Sequence, residues 1–385
     1  MISDILIVGA GPSGAFLGYL LARMGYAVRI IDKATFPRDK VCGGGISNKT
    51  IKLLPFDISS VVQRHIKGAF LTYKNQDTVV KDLGDRGGAS VLRSEFDHFL
   101  LERAIDAGAK FEGNSTFLRA DRRGGGLSVT TSLGEIKTRY LVGADGAMSR
   151  VRESIFGRGL VTCAPAVEAL VSVVPEKAAR IGERVLFDFG GMPRGYGWIF
   201  PKRNHLNVGV FSIYPTTSIK KDLSQFMSRY EILESPSSVK YLGFVIPLKN
   251  HRHDFERDNV LLLGDAAGLA ESFYGEGIYF ALKSSLVAAE AFASGFDRPS
   301  DRAYSHLIKK KIQPELTYSE LNARMFFPNQ RFGFYRMVRN VHVNYYFAEL
   351  IGGHVGHKEC FYKTLLTSPY WLFSKKFHTL EGISF

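Results

Sequence analysis

Ile5-Leu6-Ile7-Val8-Gly9-Ala10-Gly11-Pro12-Ser13-Gly14 reads as a buried strand, a glycine turn and the start of a helix. A second apolar run, Ala27 to Ile31, ends on the acid Asp32. Strand before, helix after and carboxylate beyond make this the complete dinucleotide-binding fingerprint rather than an isolated glycine pattern. In that pattern Gly9 permits the tight turn, Gly11 lets the backbone approach a pyrophosphate, and Gly14 lets helix and strand pack closely. The N–H groups at the helix N-terminus face the phosphates. Asp32 is placed to accept a ribose hydroxyl, and Ser13 and Lys33 are counted with it as cofactor-binding. The pattern predicts that the chain binds an adenine dinucleotide.

Composition bounds the rest. A chain of 385 residues with 45% hydrophobic content has material for a large core and two intimately joined domains. No apolar run reaches the length of a membrane span, and the first strand starts almost at once, so neither a transmembrane helix nor a signal peptide is expected. Cys42, Cys163 and Cys360 form no disulfide framework and no CxxC pair, which fits a reducing cytoplasm. His251 and His253 stand as His-x-His without companion carboxylates or cysteines, and no metal site is expected. The formal net charge is +13, yet no basic run accompanies a nucleic-acid motif, so nucleic acid is not an expected partner. The excess is concentrated late. Phe296 to Phe385 holds 13 Lys/Arg against 7 Asp/Glu, with 18 aromatic residues. That mixture suits peripheral contact with an anionic membrane, or equally a solvated basic face over an aromatic core.

Along the chain, Phe36-Pro37-Arg38-Asp39-Lys40-Val41-Cys42-Gly43-Gly44-Gly45 is a loop rich in breakers. A helix capped by Ser94 is predicted, with Phe96, Phe99, Leu100 and Ala104 on one face. Strands are predicted over about 109–118, 127–132 and 135–142, the last leading into Gly143-Ala144-Asp145-Gly146. From about 162 to 245 strand follows strand, as in Leu206 to Phe211 with its alternation of period 2, interrupted by a helix near 218–230. The nucleotide domain resumes at Asn259-Val260-Leu261-Leu262-Leu263-Gly264-Asp265-Ala266-Ala267-Gly268, and a long helix is predicted over 275–293.

The glycine turn, Gly143-Ala144-Asp145-Gly146 and Gly264-Asp265-Ala266-Ala267-Gly268 together resemble the flavoprotein hydroxylase superfamily, where all three segments build one FAD site. Gly195-Tyr196-Gly197-Trp198-Ile199-Phe200-Pro201-Lys202, followed by Asn207-Val208-Gly209-Val210, resembles the substrate-domain signature of the geranylgeranyl reductase family. Tyr274-Gly275-Glu276-Gly277-Ile278-Tyr279-Phe280 resembles the same family's flavin-facing loop and helix. The likeness covers roughly the first 300 residues. It implies an α/β fold, with a Rossmann-type FAD-binding domain, an interleaved antiparallel-sheet substrate domain and a C-terminal helical region. The expected boundaries are 1–160 for the first part of the FAD-binding domain, with a small insertion near 56–90, 161–250 for the substrate domain, 251–295 for the last part, and 296–385 for the helical, basic and aromatic region. FAD contacts are implied for Cys42, Gly43, Arg93, Asp145, Gly264, Asp265, Gly275, Gly277 and Ile278. One departure stands out. The family commonly carries Asp-Pro shortly before the Gly-Glu-Gly loop, where this chain has Glu271-Ser272, and loss of the proline is expected to loosen a rigid turn.

The implied reaction saturates carbon–carbon double bonds of a prenyl chain on a lipid, quinone or diphosphate headgroup. Such an alkene is unpolarised, so its reduction needs a hydride, a proton and a dry aromatic surround. Trp198, Tyr196, Phe200, Phe273, Tyr274, Tyr279 and Phe280 are available for that surround, with Tyr196 and Trp198 the candidate catalytic pair. Cys42 would relay a proton or hold substrate, against the alternative of a small buried hydrophobe. Glu276 would cap a helix or position the flavin loop. A single dinucleotide fingerprint leaves NAD(P)H or a ferredoxin-like protein as electron donor. The alternatives are an FAD-dependent aromatic monooxygenase, which shares the three FAD motifs, and a non-catalytic prenyl-lipid carrier. Flavin halogenases usually show Trp-x-Trp-x-Ile-Pro, which Tyr196-x-Trp198-x-Phe200-Pro201 does not match.

Overall fold

A computed structural model describes residues 3–214, 218–250, 254–294 and 302–367. His251 and His253 lie outside the described residues, as do 296–301 and 368–385 of the basic aromatic region. The chain divides into two compact units. The first comprises Met1–Lys40, Arg93–Cys163 and Ile246–Leu316; the second comprises Val41–Leu92, Ala164–Val245 and Thr317–Phe385.

The first unit is built on an eight-stranded sheet. Ser3–Val8 runs parallel between Val28–Ile31 and Gly134–Gly143, and Val260–Leu262 runs parallel beside Gly134–Gly143. Register does the decisive work here. Val8 pairs with both Ile31 and Gly143, and Gly143 pairs with Leu262. The four strands therefore end level with one another, and the turns that follow them emerge side by side at the carboxyl edge of the sheet, where open α/β sheets bind ligands. Ile5, Leu6, Ile7, Ile30, Leu141 and Leu261 are fully buried, as strands covered on both faces must be. The helices Pro12–Arg23, Arg93–Asp106 and Ile278–Ala293 pack against this core.

Three local expectations shift. Arg93 is already helical, because its guanidinium folds back onto Asp97 one turn later and extends the helix past Ser94. The predicted 109–118 strand breaks into Lys110–Glu112 and Phe117–Arg123, since Asn114 takes a left-handed turn with φ of 56°. The long helix begins at Ile278 with Gly277 as its N-cap, one turn later than the predicted start at 275.

The second unit carries a seven-stranded sheet in the order Ser238–Asn250, Val161–Ser172, Leu206–Ser212, Gly195–Pro201, Arg184–Asp188, Gly68–Tyr73 and Asp77–Asp82. The described pairings are antiparallel apart from Gly68–Tyr73 with Arg184–Asp188, where the segment before residue 92 joins the sheet in parallel. Alternation sorts its faces. Val167, Ala169, Val171, Leu186, Ile199, Leu206, Val208 and Val210 form an aliphatic core with Leu223 and Phe226 of the helix Ile219–Met227. The intervening positions carry Glu168, Phe187, Tyr196, Trp198, Phe200, Asn207 and Phe211. A small three-stranded sheet of Gly45–Ser47, Gly88–Val91 and Val62–Ile66 completes the strand inventory among the described residues.

The late helices Gln313–Phe326, Gln330–Arg339, Val341–Gly352 and His357–Thr367 belong largely to this unit. Side-chain bonds of Tyr335 to Asp77, Lys81 to Asn344 and Arg86 to Glu349 tie them to the Asp77–Asp82 edge of the sheet and the turn after it. Burial pulls the Lys81 ammonium down to about 8.

Asp188 is fully buried, and its carboxylate accepts Lys74 N–H at 2.8 Å, Gly190 N–H at 2.9 Å and Tyr230 O–H at 2.9 Å. Burial pushes this carboxyl up, and those bonds pull it partly back. Asp188→Ala leaves three donors without a partner and is expected to destabilise the protein by about 3 kcal/mol in urea unfolding. A loss under about 1 kcal/mol would mean that the three donors find other acceptors.

Candidate active site

In the first unit the glycine turn is held from two sides. Gly9 has φ of +104°, and a Cβ there would lie 2.3 Å from the carbonyl oxygen of Ala144, so the turn rests directly on the 143–146 backbone. Asp32 is 8% exposed; its Oδ2 accepts Ala10 N–H at 2.8 Å and its Oδ1 accepts Ala34 N–H at 2.9 Å. One carboxylate thus braces both turns at the sheet edge. Lys33 beside it is exposed, whereas Ser13 is buried in the first turn of its helix.

Gly11 is different. A Cβ at this position would meet protein only at 3.6 Å, on Nη2 of Arg38. Packing with the protein therefore does not demand glycine there, but a ligand phosphate needing the same space would. Arg38 supplies the complementary charge. Its Nη2 pairs with Asp97 at 3.1 Å, while its buried Nη1 has no hydrogen-bond partner. Asp97, wholly buried, also receives Arg93 through Nε and Nη2, each at 2.7 Å. Two guanidinium groups on one carboxylate leave a net positive charge and one orphaned donor beside the phosphate turn.

The other motifs close around the same edge. Asp145 directs its carboxylate to the N-terminus of the helix Arg150–Ile155, accepting Arg150 N–H at 2.7 Å and Val151 N–H at 3.2 Å as well as the Ser149 hydroxyl. Arg152 ties two motifs together, donating to Ala266 O at 2.9 Å and Ala147 O at 2.7 Å. Asp265 lies by the start of the Ile278–Ala293 helix, its Oδ1 being 3.3 Å from where a Gly277 Cβ would sit. Burial pushes its carboxyl up, opposed by the Lys40, Arg93 and Arg152 cations. Gly264, Gly275 and Ile278 complete the expected set in this unit. Phe273, Tyr274, Tyr279 and Phe280 belong to it too.

In the second unit the Cys42–Gly45 loop lies on the aromatic sheet face. Built Cβ atoms would stand 3.1 Å from the Phe200 ring at Gly43 and 2.9 Å at Gly45, and Gly43 would approach Trp198 Nε1 to 3.3 Å. Cys42 N–H donates to Glu168 Oε1 at 3.1 Å, and Gly44 N–H reaches Cys42 Sγ at 3.4 Å. Lys202, 3% exposed, donates from Nζ to Gly43 O at 2.8 Å and Val91 O at 2.9 Å. Burial brings this ammonium down to about 8, with Cys42 and Glu168 pulling the other way. Trp198 is fixed by donating to Asn207 Oδ1 at 2.7 Å, and Tyr196 packs between Phe187, Trp198 and Phe211.

The structure therefore gathers Cys42, Gly43, Tyr196, Trp198 and Phe200 in one unit and the remaining predicted residues in the other. Sequence reading passed over Arg152 and Glu168, and it quoted Arg38, Lys202 and Asn207 without giving them a role. Only a charged residue inside an otherwise apolar or glycine-rich run could have signalled them.

Residues 3–179 match the family described as FAD binding domain. The fit is physical as well, because the open space at Gly11 and the unpartnered Arg38 donor suit a pyrophosphate. FAD is the cofactor. Gly11→Val is expected to abolish FAD retention. Arg38→Gln should raise the FAD Kd by about 10- to 100-fold in fluorescence titrations, the range for a hydrogen bond to a charged group. Unchanged FAD affinity in Arg38→Gln would place the orphaned donor outside the cofactor site.

Among relatives, the chain is similar to the geranylgeranyl diphosphate reductase of Rhodobacter capsulatus, with 31% identity over 75% of this chain and 74% of that one. It is 28% identical to the digeranylgeranylglycerophospholipid reductase of Methanococcus vannielii, over 83% and 89% of the two chains. A geranylgeranyl bacteriochlorophyll reductase-like protein from Thermoplasma acidophilum shares the fold, with a TM-score of 0.72 and 19% identity over 99% of this chain and 94% of that one. With the FAD motifs, the aromatic strand signature and this span of identity in agreement, the chain belongs to the geranylgeranyl reductase family of FAD-dependent oxidoreductases acting on CH–CH groups.

Proposed function

We propose that this enzyme saturates double bonds of a geranylgeranyl or longer polyprenyl chain carried on a lipid, quinone or diphosphate headgroup. The observation that carries the reading is the Cys42 loop seated on Trp198 and Phe200, in a chain that also holds a complete FAD unit. When bound and reduced, FAD supplies the hydride. The chain's own residues supply the rest. Tyr196, Trp198, Phe187 and Phe200 offer a water-excluding aromatic surface whose π faces tolerate cationic character at a substituted alkene carbon. Cys42 gives its thiol proton to the second carbon, and the Gly44 N–H that points at Sγ stabilises the sulfur as the proton leaves. Reducing equivalents reach the flavin from NAD(P)H or a ferredoxin-like protein.

The test is anaerobic single turnover. Pre-reduced enzyme mixed with geranylgeranyl diphosphate or a geranylgeranyl lipid should reoxidise and give a product two mass units heavier per bond (one hydride and one proton). Cys42→Ala should keep FAD yet slow this step by at least about 100-fold, as expected for loss of a general acid. Wild-type rates in Cys42→Ala would reduce the residue to packing. Oxygen-dependent NADPH consumption with an aromatic substrate, and no prenyl reduction, would favour a monooxygenase instead.

The substrate's greasy chain also argues for a membrane-facing surface. Among the described residues no helix is long and apolar enough to cross a membrane. The helix His357–Thr367 nevertheless exposes Tyr362, Leu365 and Leu366 beside the exposed cations Lys358 and Lys363. Rings and leucines beside lysines suit the boundary of an anionic leaflet, where each lysine contributes roughly 1 kcal/mol. Co-sedimentation with phosphatidylglycerol vesicles is expected at low salt, weakened at high salt and by Lys358→Glu with Lys363→Glu. Equal binding to neutral vesicles, or none to either, would return these residues to an ordinary solvated face.

A further inference from the structure

We propose that Glu271 is the positioning residue of the flavin loop, its buried carboxylate fixing the loop backbone through three of its amides. The inference rests on the loop Tyr274–Ile278 bordering FAD, but not on the identity of the substrate.

Glu271 has no exposed surface. Its Oε2 accepts Phe273 N–H at 2.7 Å, and its Oε1 accepts Tyr274 N–H at 2.6 Å and Glu276 N–H at 3.0 Å. The ring is closed on the other side by Glu271 N–H donating to Glu276 O at 3.3 Å. A carboxylate is an acceptor with about four lone-pair sites, and here one anion draws three amides of the same loop inward. This is a compact nest of N–H groups around an anion, with the anion supplied by the loop itself.

The consequence falls on the cofactor side. Gly275 turns the chain with φ of +69°, and Gly277 brings it to the N-terminus of the Ile278–Ala293 helix, against Asp265. The N-cap residue, Gly277, has no side chain to offer the helix, so its entry geometry depends on the loop that feeds it. A proline two residues before Tyr274 would stiffen that loop through φ alone. In this chain the stiffness comes instead from hydrogen bonds to Glu271, which a single substitution can remove. The turn expected to be loose is held tightly, by a different interaction.

Hydrogen exchange on the apo protein reads the nest without cofactor or substrate. The amides of Phe273, Tyr274 and Glu276 should exchange slowly in the wild type. In the isosteric Glu271→Gln variant they should exchange at least about tenfold faster, while the sheet amides of the same unit are unchanged. The FAD Kd should rise about tenfold or more in the same variant, consistent with loss of a charged acceptor. Combining Glu271→Asp with Ser272→Pro, which stiffens the turn through φ instead, should restore FAD affinity where Glu271→Asp alone does not. A merely structural role would not give that rescue. Fast exchange of the three amides in the wild type overturns the nest. Faster exchange in Glu271→Gln with unchanged FAD affinity overturns its role toward the cofactor. Either result leaves prenyl reduction by the wild type, and so the proposed function, to stand or fall separately.

Discussion

The nucleotide unit depends on a backbone-to-backbone approach, Gly9 against Ala144, that no residue with a Cβ could make. Strands of a parallel sheet lie a fixed distance apart, so turns that leave two neighbouring strands at the same level must meet. Register makes them leave level, since Val8 stands opposite Gly143. Gly9 turns the meeting into close packing rather than a clash. Asp32 then braces the first turn against the second strand's exit, and Arg152 braces the 143–149 segment against the 264–267 turn. A long dinucleotide needs contacts from several distant chain segments. Here those segments are tied to one another by bonds within the protein, an arrangement that lowers the ordering cost of binding.

Charge in this protein is buried where shape has to be held. Asp97 between Arg38 and Arg93, Glu168 on the Cys42 amide, Lys202 on two carbonyls and Asp188 on two amides and a phenol share one arrangement. Each places an ionisable group out of water and satisfies it with backbone or with opposite charge. Burying such a group is costly, and removing its partner is costlier still, so each arrangement resists distortion strongly. Apolar packing could stabilise the same loops, but it is non-directional and would allow them to slide. Hydrogen bonds to a buried charge fix both distance and direction.

What was legible in the sequence was what the local chain determines. The glycine turn, the apolar strand runs and the alternation of the aromatic strand each follow from neighbouring residues, and they led to the two-part α/β fold with its FAD motifs. Boundaries proved harder. The helix at Arg93 starts early because of an ion pair one turn ahead, and the strand after residue 109 breaks because Asn114 accepts a left-handed turn. Long-range partners were harder still. Arg38 looks like any surface arginine until Asp97 comes beside it, and Glu168 reads as a stray acid in a strand until Cys42 N–H reaches it. The aromatic residues expected to act together fall in both units, because chain order says nothing about which unit a motif joins.

The Cys42 loop shows how the two kinds of constraint combine. Gly43 and Gly45 can lie on the Phe200 ring only because they lack side chains, and glycine by itself would leave the loop free to wander. Lys202 removes that freedom at Gly43 O, Glu168 removes it at Cys42 N–H, and Val91 N–H removes it at Gly44 O over 2.8 Å. The sulfur itself accepts Gly44 N–H at 3.4 Å, in a loop lying over a sheet face that carries Glu168 and Asn207 beside its rings. A thiol is a suitable group to place there. It is apolar enough to sit beside rings, and in the role proposed for it a thiol has a proton to give where positive character develops. A carboxylic acid in the same place would carry a heavier desolvation penalty when ionised, and a serine hydroxyl would hold its proton too firmly.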